Sequence, residues 1–293
     1  MAILIDQNSN VIVQGATGSQ GALHTKYMME YGVKVVGGIS PGKGGDAVHG
    51  VPIYNTILEA METNRVDATM ILVPPYAVRD CAIEAIENGV KTVVIITEHV
   101  PVHDSMYIRQ LSLEYGAHIV GPNTIGVISP GKTKVGVMPG FLYSQGNVGI
   151  VSRSGTLTHE TASTLSLRNI GQSTCVGIGG DPVPGMDFVD VLKMFEKDDE
   201  TKVVVMIGEI GGSGEEAAAR YVKENGYSKP IIAFIAGQTA PQDKQMGHAG
   251  AIISGDSGSA ASKYEALANA NIQIAKSFSE IVQAVSAVVN RVS

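Results

Sequence analysis

Short runs of valine and isoleucine alternate along the whole chain with stretches long enough to form helices. Runs such as VIVQG (11–15) and TVVIIT (92–97) are apolar at nearly every position, which is typical of strands buried on both faces of a sheet. The stretch YAVRDCAIEAIENGV (76–90) repeats apolar residues at intervals of three and four, as an amphipathic helix does. Strands that alternate with helices form parallel sheets, so the pattern predicts an α/β fold with doubly wound sheets.

The length of the chain favours two such units. The chain has 293 residues, whereas a typical domain has about 150. Hydrophobic residues make up 44% of it and charged residues 17%, a composition that argues against disorder and suits buried sheets. A glycine- and proline-rich stretch interrupts the alternation near the middle. We therefore predict a first domain at residues 1–127, a linker at 128–147 and a second domain at 148–293.

Charge and cysteine content narrow the classes of function. A formal net charge of −7 gives no general attraction to nucleic acid or anionic membranes, so a small ligand at a local site is expected. The two cysteines, Cys81 and Cys175, cannot form a disulfide framework or a thiolate cluster; we predict no metal site and a reducing compartment. Neither a signal-peptide pattern nor a run of about 20 apolar residues occurs. These features predict a cytoplasmic protein.

A glycine-rich turn follows the first predicted strand. Gly15, Gly18 and Gly21 lie in VIVQGATGSQG, where backbone amides and the dipole of the next helix can hold a phosphate. A protein that binds NAD also needs an acidic residue after the second strand, whereas this chain has Lys43 in GGISPGKGG (37–45). A lysine there favours a ribose that carries a phosphate, which leaves NADP and coenzyme A as candidate ligands. A tight turn without a ligand and a solvated loop lysine are the alternatives.

A second glycine-rich segment matches a nucleotide-binding pattern without its context. GVISPGKT (126–133) fits G-x-x-x-x-G-K-[ST], the pattern of a P-loop, which must begin a helix. Gly136, Pro139 and Gly140 follow closely and would disrupt any helix there. We therefore predict that this segment is not a P-loop.

The second half of the chain contains three segments that could carry chemistry. SRSGTLT (152–158) follows a strand and begins a predicted helix, where backbone amides suit an anion. MIGEIGG (206–212) ends a strand with Glu209, at the edge where parallel sheets form their sites. His248 lies at the centre of a long glycine-rich loop. Its imidazole should be accessible and nucleophilic near neutral pH, as a phosphoryl carrier must be; a solvated glutamate and a structural histidine are the alternatives.

Eight segments, in order along nearly the whole chain, resemble the alpha subunits of the succinyl-CoA synthetase family. They are GATGSQG, GGISPGKGG, ITE (96–98), GPN (121–123), VGIVSRSGTLT, STCVGIGGDPVPG (173–185), MIGEIGG and MGHAGAI. The resemblance implies a Rossmann-like domain that binds coenzyme A, followed by a flavodoxin-like doubly wound domain. It also implies that His248 takes a phosphoryl group and that Glu209 positions its ring.

The same resemblance assigns the remaining site residues. Ser154, Gly155 and Thr156 would stabilise the phosphohistidine at the start of their helix, and His159 would contact the substrate or the partner subunit. The residues implied to contact coenzyme A are Thr17, Gly18, Ser19, Gln20, Lys43, Ile96, Thr97 and Glu98.

Members of this family join succinate to coenzyme A reversibly, through a phosphohistidine and succinyl phosphate, as a step of the tricarboxylic acid cycle. The resemblance therefore implies an acid–thiol ligase that is active with a beta subunit of the ATP-grasp type, as a heterodimer or heterotetramer. Because this chain has no credible nucleotide site of its own, the beta subunit is expected to bind ATP or GTP with Mg²⁺.

Five positions depart from the family pattern. His159 stands where a tyrosine is usual, and Thr124 and Ile125 follow GPN where cysteine and proline are common. Gln245 and Ser257 stand near the histidine in place of an arginine and a lysine, so positive charge near a phosphate is lost. The acid substrate is therefore less firmly implied than the reaction.

Three alternatives follow. Within the same class, the chain could be the alpha subunit of a malate–CoA or other dicarboxylate–CoA ligase. From other classes, a non-catalytic coenzyme A-binding protein would need only the N-terminal half, and an NADP-dependent dehydrogenase would leave the histidine loop unexplained. The presence of both Glu209 and His248 argues against these last two.

Overall fold

The first of two sheets is formed by the N-terminal half of the chain. The computed structural model describes residues 2–241, 245–253 and 258–292. The strands of the first sheet are β1 (Asn10–Gln14), β2 (Lys34–Ile39), β3 (Ala47–Val48), β4 (Val51–Tyr54), β5 (Ala68–Ile71), β6 (Thr92–Ile95) and β7 (His118–Val120). The helices that connect them are α1 (Ser19–Glu30), α2 (Ile57–Met61), α3 (Val78–Glu87) and α4 (Val102–Tyr115).

The strand order of this sheet is β3-β4-β2-β1-β5-β6-β7, and only the short β3–β4 pair is antiparallel. The chain builds outward from β1 through β2 on one side and then crosses to β5 on the other. Ligands of such sheets bind at this reversal, beside the carboxyl ends of the strands. Every residue of β5 and β6 is buried, as the uniformly apolar runs predict.

The second sheet has the same number of strands as the first. Its strands are β8 (Gly126–Ser129), β9 (Thr133–Gly136), β10 (Gln145–Ser152), β11 (Gln172–Gly177), β12 (Val203–Glu209), β13 (Ile231–Ala236) and β14 (Gln273–Ile274). Its helices are α5 (Gly155–Ser166), α6 (Phe188–Lys197), α7 (Gly214–Asn225), α8 (Ala260–Asn269) and α9 (Phe278–Val292). The α/β class and the doubly wound parallel sheets are therefore confirmed.

The strand order of the second sheet is β14-β13-β12-β10-β11-β8-β9, parallel from β14 to β11. The winding reverses between β10 and β12, so Ser152 and Glu209 end neighbouring strands at the reversal. Every residue of β12 is buried, including Glu209. The fold thus carries a carboxylate to the point where this sheet is expected to form a site.

The segment predicted as a linker takes part in the second sheet. β8 and β9 form an antiparallel hairpin, and β8 also pairs antiparallel with β11. Residues 128–136 are thus strand and turn rather than an irregular connection. GVISPGKT (126–133) leads directly into β9 rather than into a helix, which confirms that it is not a P-loop. The domain limits at 127 and 148 stay predictions.

The two sheets meet where the end of β7 runs beside the loop after β11. The N–H of Gly185 donates to the carbonyl of Gly121 at 2.8 Å, and that of Met186 donates to Ile119 at 2.8 Å. This contact brings the carboxyl edges of the two sheets toward each other. Within the described ranges, none of the helices combines the length and the apolar character needed to cross a membrane.

Candidate active site

The crevice of the first sheet is closed by a compact glycine turn. Gly15 has φ +87°, and a Cβ there would lie 2.4 Å from the carbonyl oxygen of Leu72. A Cβ on Gly21 would lie 2.0 Å from the carbonyl oxygen of Gly15, so only glycine fits this turn. Gly18 is the N-cap of α1 and supplies no side-chain cap, and the first turn has no acidic residue. The amides at the start of α1 therefore remain suited to an anion.

Two loops meet above this turn. The hydroxyl groups of Thr17 and Ser40 share a hydrogen bond of 2.9 Å, and Lys43 Nζ donates to Thr17 Oγ1 at 3.2 Å. Ser19 and Gln20 are exposed in the first turn of α1. The structure thus brings Lys43 into contact with Thr17, which directly precedes the predicted residues Gly18, Ser19 and Gln20.

The remaining residues predicted to contact coenzyme A follow β6, two strands away from β1. Thr97 Oγ1 donates to the carbonyl of Val73 at 2.7 Å, which fixes this segment against the end of β5. Ile96 is half-buried, whereas the side chain of Glu98 is exposed. All three residues lie at the carboxyl edge of the sheet.

At the reversal of the second sheet, His248 contacts Glu209. The Nδ1–H of His248 donates to Glu209, at 2.8 Å from Oε2 and 3.0 Å from Oε1. The imidazole is 31% exposed and the carboxylate 9%. The hydrogen bond with Glu209 raises the pKa of His248, whereas burial of the ring opposes this shift. The predicted pairing of Glu209 with the histidine ring is therefore present as a contact.

The backbone of Gly180 lies directly against the imidazole. A Cβ at this position would be 2.3 Å from Cγ of His248, so a side chain here would displace the ring. The next residue, Asp181, is almost fully buried and accepts a hydrogen bond of 3.1 Å from the amide of Asn123. Burial raises the pKa of Asp181, and the Asn123 hydrogen bond and nearby His99 and His248 oppose this. Asn123 and Asp181 lie in the motifs GPN and GIGGDP, but neither motif predicted a role for them.

Arg153 is a further residue that the sequence analysis missed. Its Nη2 lies 3.3 Å from Glu209 Oε1, and its Nη1 lies 3.6 Å from Glu215 Oε1 and donates to the carbonyl of Gly211 at 3.1 Å. The position of this arginine, between the end of β10 and the start of α5, is a sequence signal that could have identified it as a site residue. Only the fold reveals that both carboxylates meet it.

The start of α5 lies beside Arg153. Ser154 is the N-cap, and its hydroxyl accepts a hydrogen bond of 3.3 Å from the N–H of Leu157. This hydroxyl keeps its own proton for donation to an anion. Gly155 begins the helix against the side chain of Ile125, and Thr156 is exposed.

The departures from the family pattern occupy different places. Thr124 is buried and donates to the carbonyl of Gly177. His159 Nδ1 and the Tyr143 hydroxyl share a hydrogen bond of 2.6 Å, and burial lowers the pKa of His159. Gln245 is exposed. Ser257 lies outside the described residues.

Two family models match the chain, a CoA binding domain at residues 6–99 and a CoA-ligase domain at residues 151–273. The alpha 1 subunit of the ADP-forming succinate–CoA ligase of Archaeoglobus fulgidus is 52% identical over 285 residues, 97% of each chain. The chain belongs to the succinate–CoA ligase alpha-subunit family. The resemblance read from the sequence motifs is thereby confirmed, and so is the order of a coenzyme A-binding domain followed by a ligase domain.

Another member of this family and one solved structure extend the comparison. The alpha subunit from Methanothermobacter thermautotrophicus is also 52% identical, over 97% of this chain and 96% of its own length. The ATP citrate lyase of Methanosaeta concilii, solved with (3S)-citryl-CoA, superposes with a TM-score of 0.91 at 25% identity. The match covers 99% of this chain and 51% of the lyase chain. This chain therefore corresponds to about half of that larger enzyme.

Among the described residues, no three His, Cys, Asp or Glu side chains gather closely enough to hold a metal ion.

Proposed function

We propose that this chain is the alpha subunit of a succinate–CoA ligase and that Nε2 of His248 carries the phosphoryl group. The observation that supports this most directly is the hydrogen bond from His248 Nδ1 to Glu209, a carboxylate that also pairs with Arg153, just before α5. The carboxylate holds the ring proton on Nδ1, so the lone pair of the neutral imidazole lies on Nε2. A nucleophile oriented by a carboxylate is suited to covalent phosphoryl transfer.

The reaction proceeds in three transfers. Nε2 attacks the terminal phosphorus of the nucleoside triphosphate, and the bond to the departing nucleoside diphosphate breaks. A carboxylate oxygen of succinate then attacks this phosphorus, and the P–N electron pair returns to Nε2, which gives succinyl phosphate. Finally, the thiolate of coenzyme A attacks the succinyl carbonyl carbon, and inorganic phosphate leaves. Positioning and charge neutralisation account for most of the acceleration in phosphoryl transfers.

The start of α5 is suited to stabilise the phosphorylated ring. The amides of Gly155 and Thr156 and the hydroxyl of Ser154 would donate to the phosphoryl oxygens, and the helix dipole favours their negative charge. Arg153 precedes this turn and adds a positive charge next to Glu209. These contacts are part of the proposal.

The crevice of the first sheet is proposed to hold coenzyme A. The N–H of Gly18 already donates to the carbonyl of Gly15 at 3.1 Å, so the amides of Ser19 and Gln20 would receive a phosphate beside it, and Lys43 would contact the phosphate on the ribose. In the segment 96–98, the carbonyl of Thr97 accepts a hydrogen bond from Asn123, whose side chain bonds Asp181, so the thiol end of the ligand is expected there, close to His248.

We infer that a partner beta subunit of the ATP-grasp type binds ATP or GTP with Mg²⁺ and shares the active site. The strand–turn–strand form of residues 126–136 supports this, because the segment that matches the P-loop pattern lacks the helix that would hold phosphates. A complete ligase is then a heterodimer or a heterotetramer.

The proposal is tested with the chain co-purified with its native partner. Wild type, His248→Asn and a matched control, His103→Asn at an exposed position on α4, are incubated with γ-labelled ATP or GTP. We expect acid-labile label on the wild type and the control alone, and equal affinity of all three for coenzyme A by calorimetry. Label on the His248→Asn chain would refute the role of His248. Turnover with succinate but not malate would support the acid assignment, and the reverse would overturn it.

A further inference from the structure

A buried lysine, Lys263, is connected through Glu215 to the strand that ends at Glu209. The side chain of Lys263 is fully buried, and each proton of its ammonium group has an acceptor within 2.9 Å. The acceptors are the carbonyl of Gly212 at 2.9 Å, Glu215 Oε2 at 2.5 Å and Glu216 Oε2 at 2.9 Å. Lys263 lies in the first turn of α8, so it attaches the start of α8 to the start of α7.

Glu215 connects this lysine to the strand that carries Glu209. Its side chain is also fully buried, and its Oε1 accepts a hydrogen bond of 3.1 Å from the backbone N–H of Glu209. The carboxylate fits only because residue 208 is glycine, where a Cβ would lie 2.4 Å from Glu215 Oε1. Glu215 therefore touches both Lys263 and the residue that orients His248.

Arg153 completes a row of alternating charges. It lies 3.6 Å from Glu215 Oε1 on one side and 3.3 Å from Glu209 Oε1 on the other. The row runs from Lys263 through Glu215, Arg153 and Glu209 to the ring of His248. Burying such charges costs solvation free energy that ion pairing often fails to recover, so stability alone is a poor explanation for the row.

We propose that Lys263 and Glu215 are positioning residues for His248, which act by dividing Arg153 between two carboxylates. This inference rests on the phosphoryl-carrier function proposed above. With Glu215 in place, Arg153 neutralises the charge of Glu209 only in part, so Glu209 remains a strong hydrogen-bond acceptor for the Nδ1–H of His248. Without the charge of Glu215, Arg153 turns fully to Glu209 and competes with the ring.

The two ends of the row should change His248 in opposite directions. Glu215→Gln removes a negative charge and should lower the pKa of His248, whereas Lys263→Met removes a positive charge and should raise it. If the substitutions acted only by disturbing the packing, the pKa of His248 would not be expected to shift in opposite directions in these two variants. The charged groups that influence the imidazole are Glu209, Arg153 and Asp181, with Glu98 and His99 next to Asp181.

The experiment compares the full chain, alone and with its partner, as wild type, Glu215→Gln, Lys263→Met, the double variant of these two and Glu224→Gln. Glu209→Gln, with and without Glu215→Gln, completes the set. Glu224 is exposed near the end of α7 and is the matched control. Ring titration by NMR reports the pKa of His248, and rapid quench reports the rate of its phosphorylation. We expect Glu215→Gln to lower that rate about tenfold with an unchanged KM for coenzyme A, and Glu224→Gln to match wild type.

The double variant and the Glu209→Gln variants show whether Glu215 and Lys263 act on His248 through Glu209. The double variant, which removes both charges, should return the pKa of His248 toward wild type, and Glu215→Gln should add little to Glu209→Gln. The proposal is overturned if folded Glu215→Gln and Lys263→Met proteins keep the wild-type titration and rate. If wild type itself takes no phosphate, the phosphoryl-carrier function fails, whereas the opposite pKa shifts still test the coupling.

Discussion

The side-chain amide of Asn123 donates a hydrogen bond of 3.1 Å to the Asp181 carboxylate. The backbone N–H of Asn123 also donates to the carbonyl of Thr97 at 3.0 Å, so one residue contacts both sheets. Thr97 belongs to the segment proposed to contact coenzyme A, and Asp181 follows Gly180, which lies against His248. Acyl transfer to a thiol requires the two sites to be close, and Asn123 forms a polar link between them.

Replacing Asn123 by alanine should destabilise the chain. Asp181 would remain buried without this hydrogen bond, which costs about 1–3 kcal/mol, and its pKa should rise further because the amide no longer favours the charged form. Urea unfolding at neutral pH measures the loss. Asn225→Ala is the control, because its amide makes one exposed bond, to the carbonyl of Tyr221, and should change stability by less than about 0.5 kcal/mol. Equal losses for both variants would contradict the role of Asn123.

A methyl group at Gly180 should block phosphorylation without unfolding the protein. The added Cβ would lie 2.3 Å from Cγ of His248, and the half-buried ring can move to avoid it, which breaks its alignment with Glu209. We expect the rate of phosphohistidine formation to fall at least about 100-fold, with coenzyme A affinity retained. Gly214→Ala is the control, because its nearest neighbour, a Phe188 ring atom, is 3.5 Å away. A Gly180→Ala enzyme that labels normally would show that this ring position is not the reactive one.

The pairing of His248 with Glu209 should make part of the stability depend on pH. Because the pKa of His248 is raised above its ordinary value of 6.5 in the folded protein, its protonated form stabilises the fold. This contribution is fully present below the unfolded pKa and is lost as the pH rises through the folded pKa. His248→Gln should therefore cost more stability near about pH 5.5 than near about pH 8.5. Thermal unfolding at both values, with exposed His103→Gln as the reference, measures the difference; a loss that is equal at both would exclude a raised pKa.

The sequence was sufficient for the parallel core of both sheets but not for their antiparallel additions. Strands buried on both faces are apolar at nearly every position, and this pattern predicts β5, β6 and β12. The hairpin of β8 and β9 is short and contains Gly126, Gly131 and Gly136 with positive φ, so composition suggested a linker. Its place in the sheet depends on pairing with β11, a contact that is distant in sequence.

Some residues of the candidate site could likewise be predicted from local sequence patterns, and others could not. Glu209 and His248 could be predicted because a carboxylate at a strand end and a histidine among glycines are local patterns. The contacts among Arg153, Glu215 and Lys263 could not be predicted from the sequence. Arg153 follows β10, Glu215 lies on α7 and Lys263 lies on α8. Only their packing places Arg153 3.6 Å and Lys263 2.5 Å from the carboxylate of Glu215.

Lys43 should distinguish coenzyme A from its analogue without the phosphate on the ribose. Lys43 Nζ is exposed and held by Thr17 Oγ1 at 3.2 Å, above the anion-binding start of α1, so a phosphate in the crevice can reach it. Lys43→Ala should weaken binding of coenzyme A about tenfold, or about 1.4 kcal/mol, and binding of 3′-dephospho-coenzyme A far less. Calorimetry with both ligands measures the two losses, and they should shrink together as salt is raised. Lys26→Ala is the control, since Lys26 is exposed on α1 and pairs only loosely with Glu30 at 3.8 Å. If Lys43→Ala weakens both ligands equally, the lysine serves the turn rather than the ribose phosphate, and the orientation proposed for coenzyme A must be reversed.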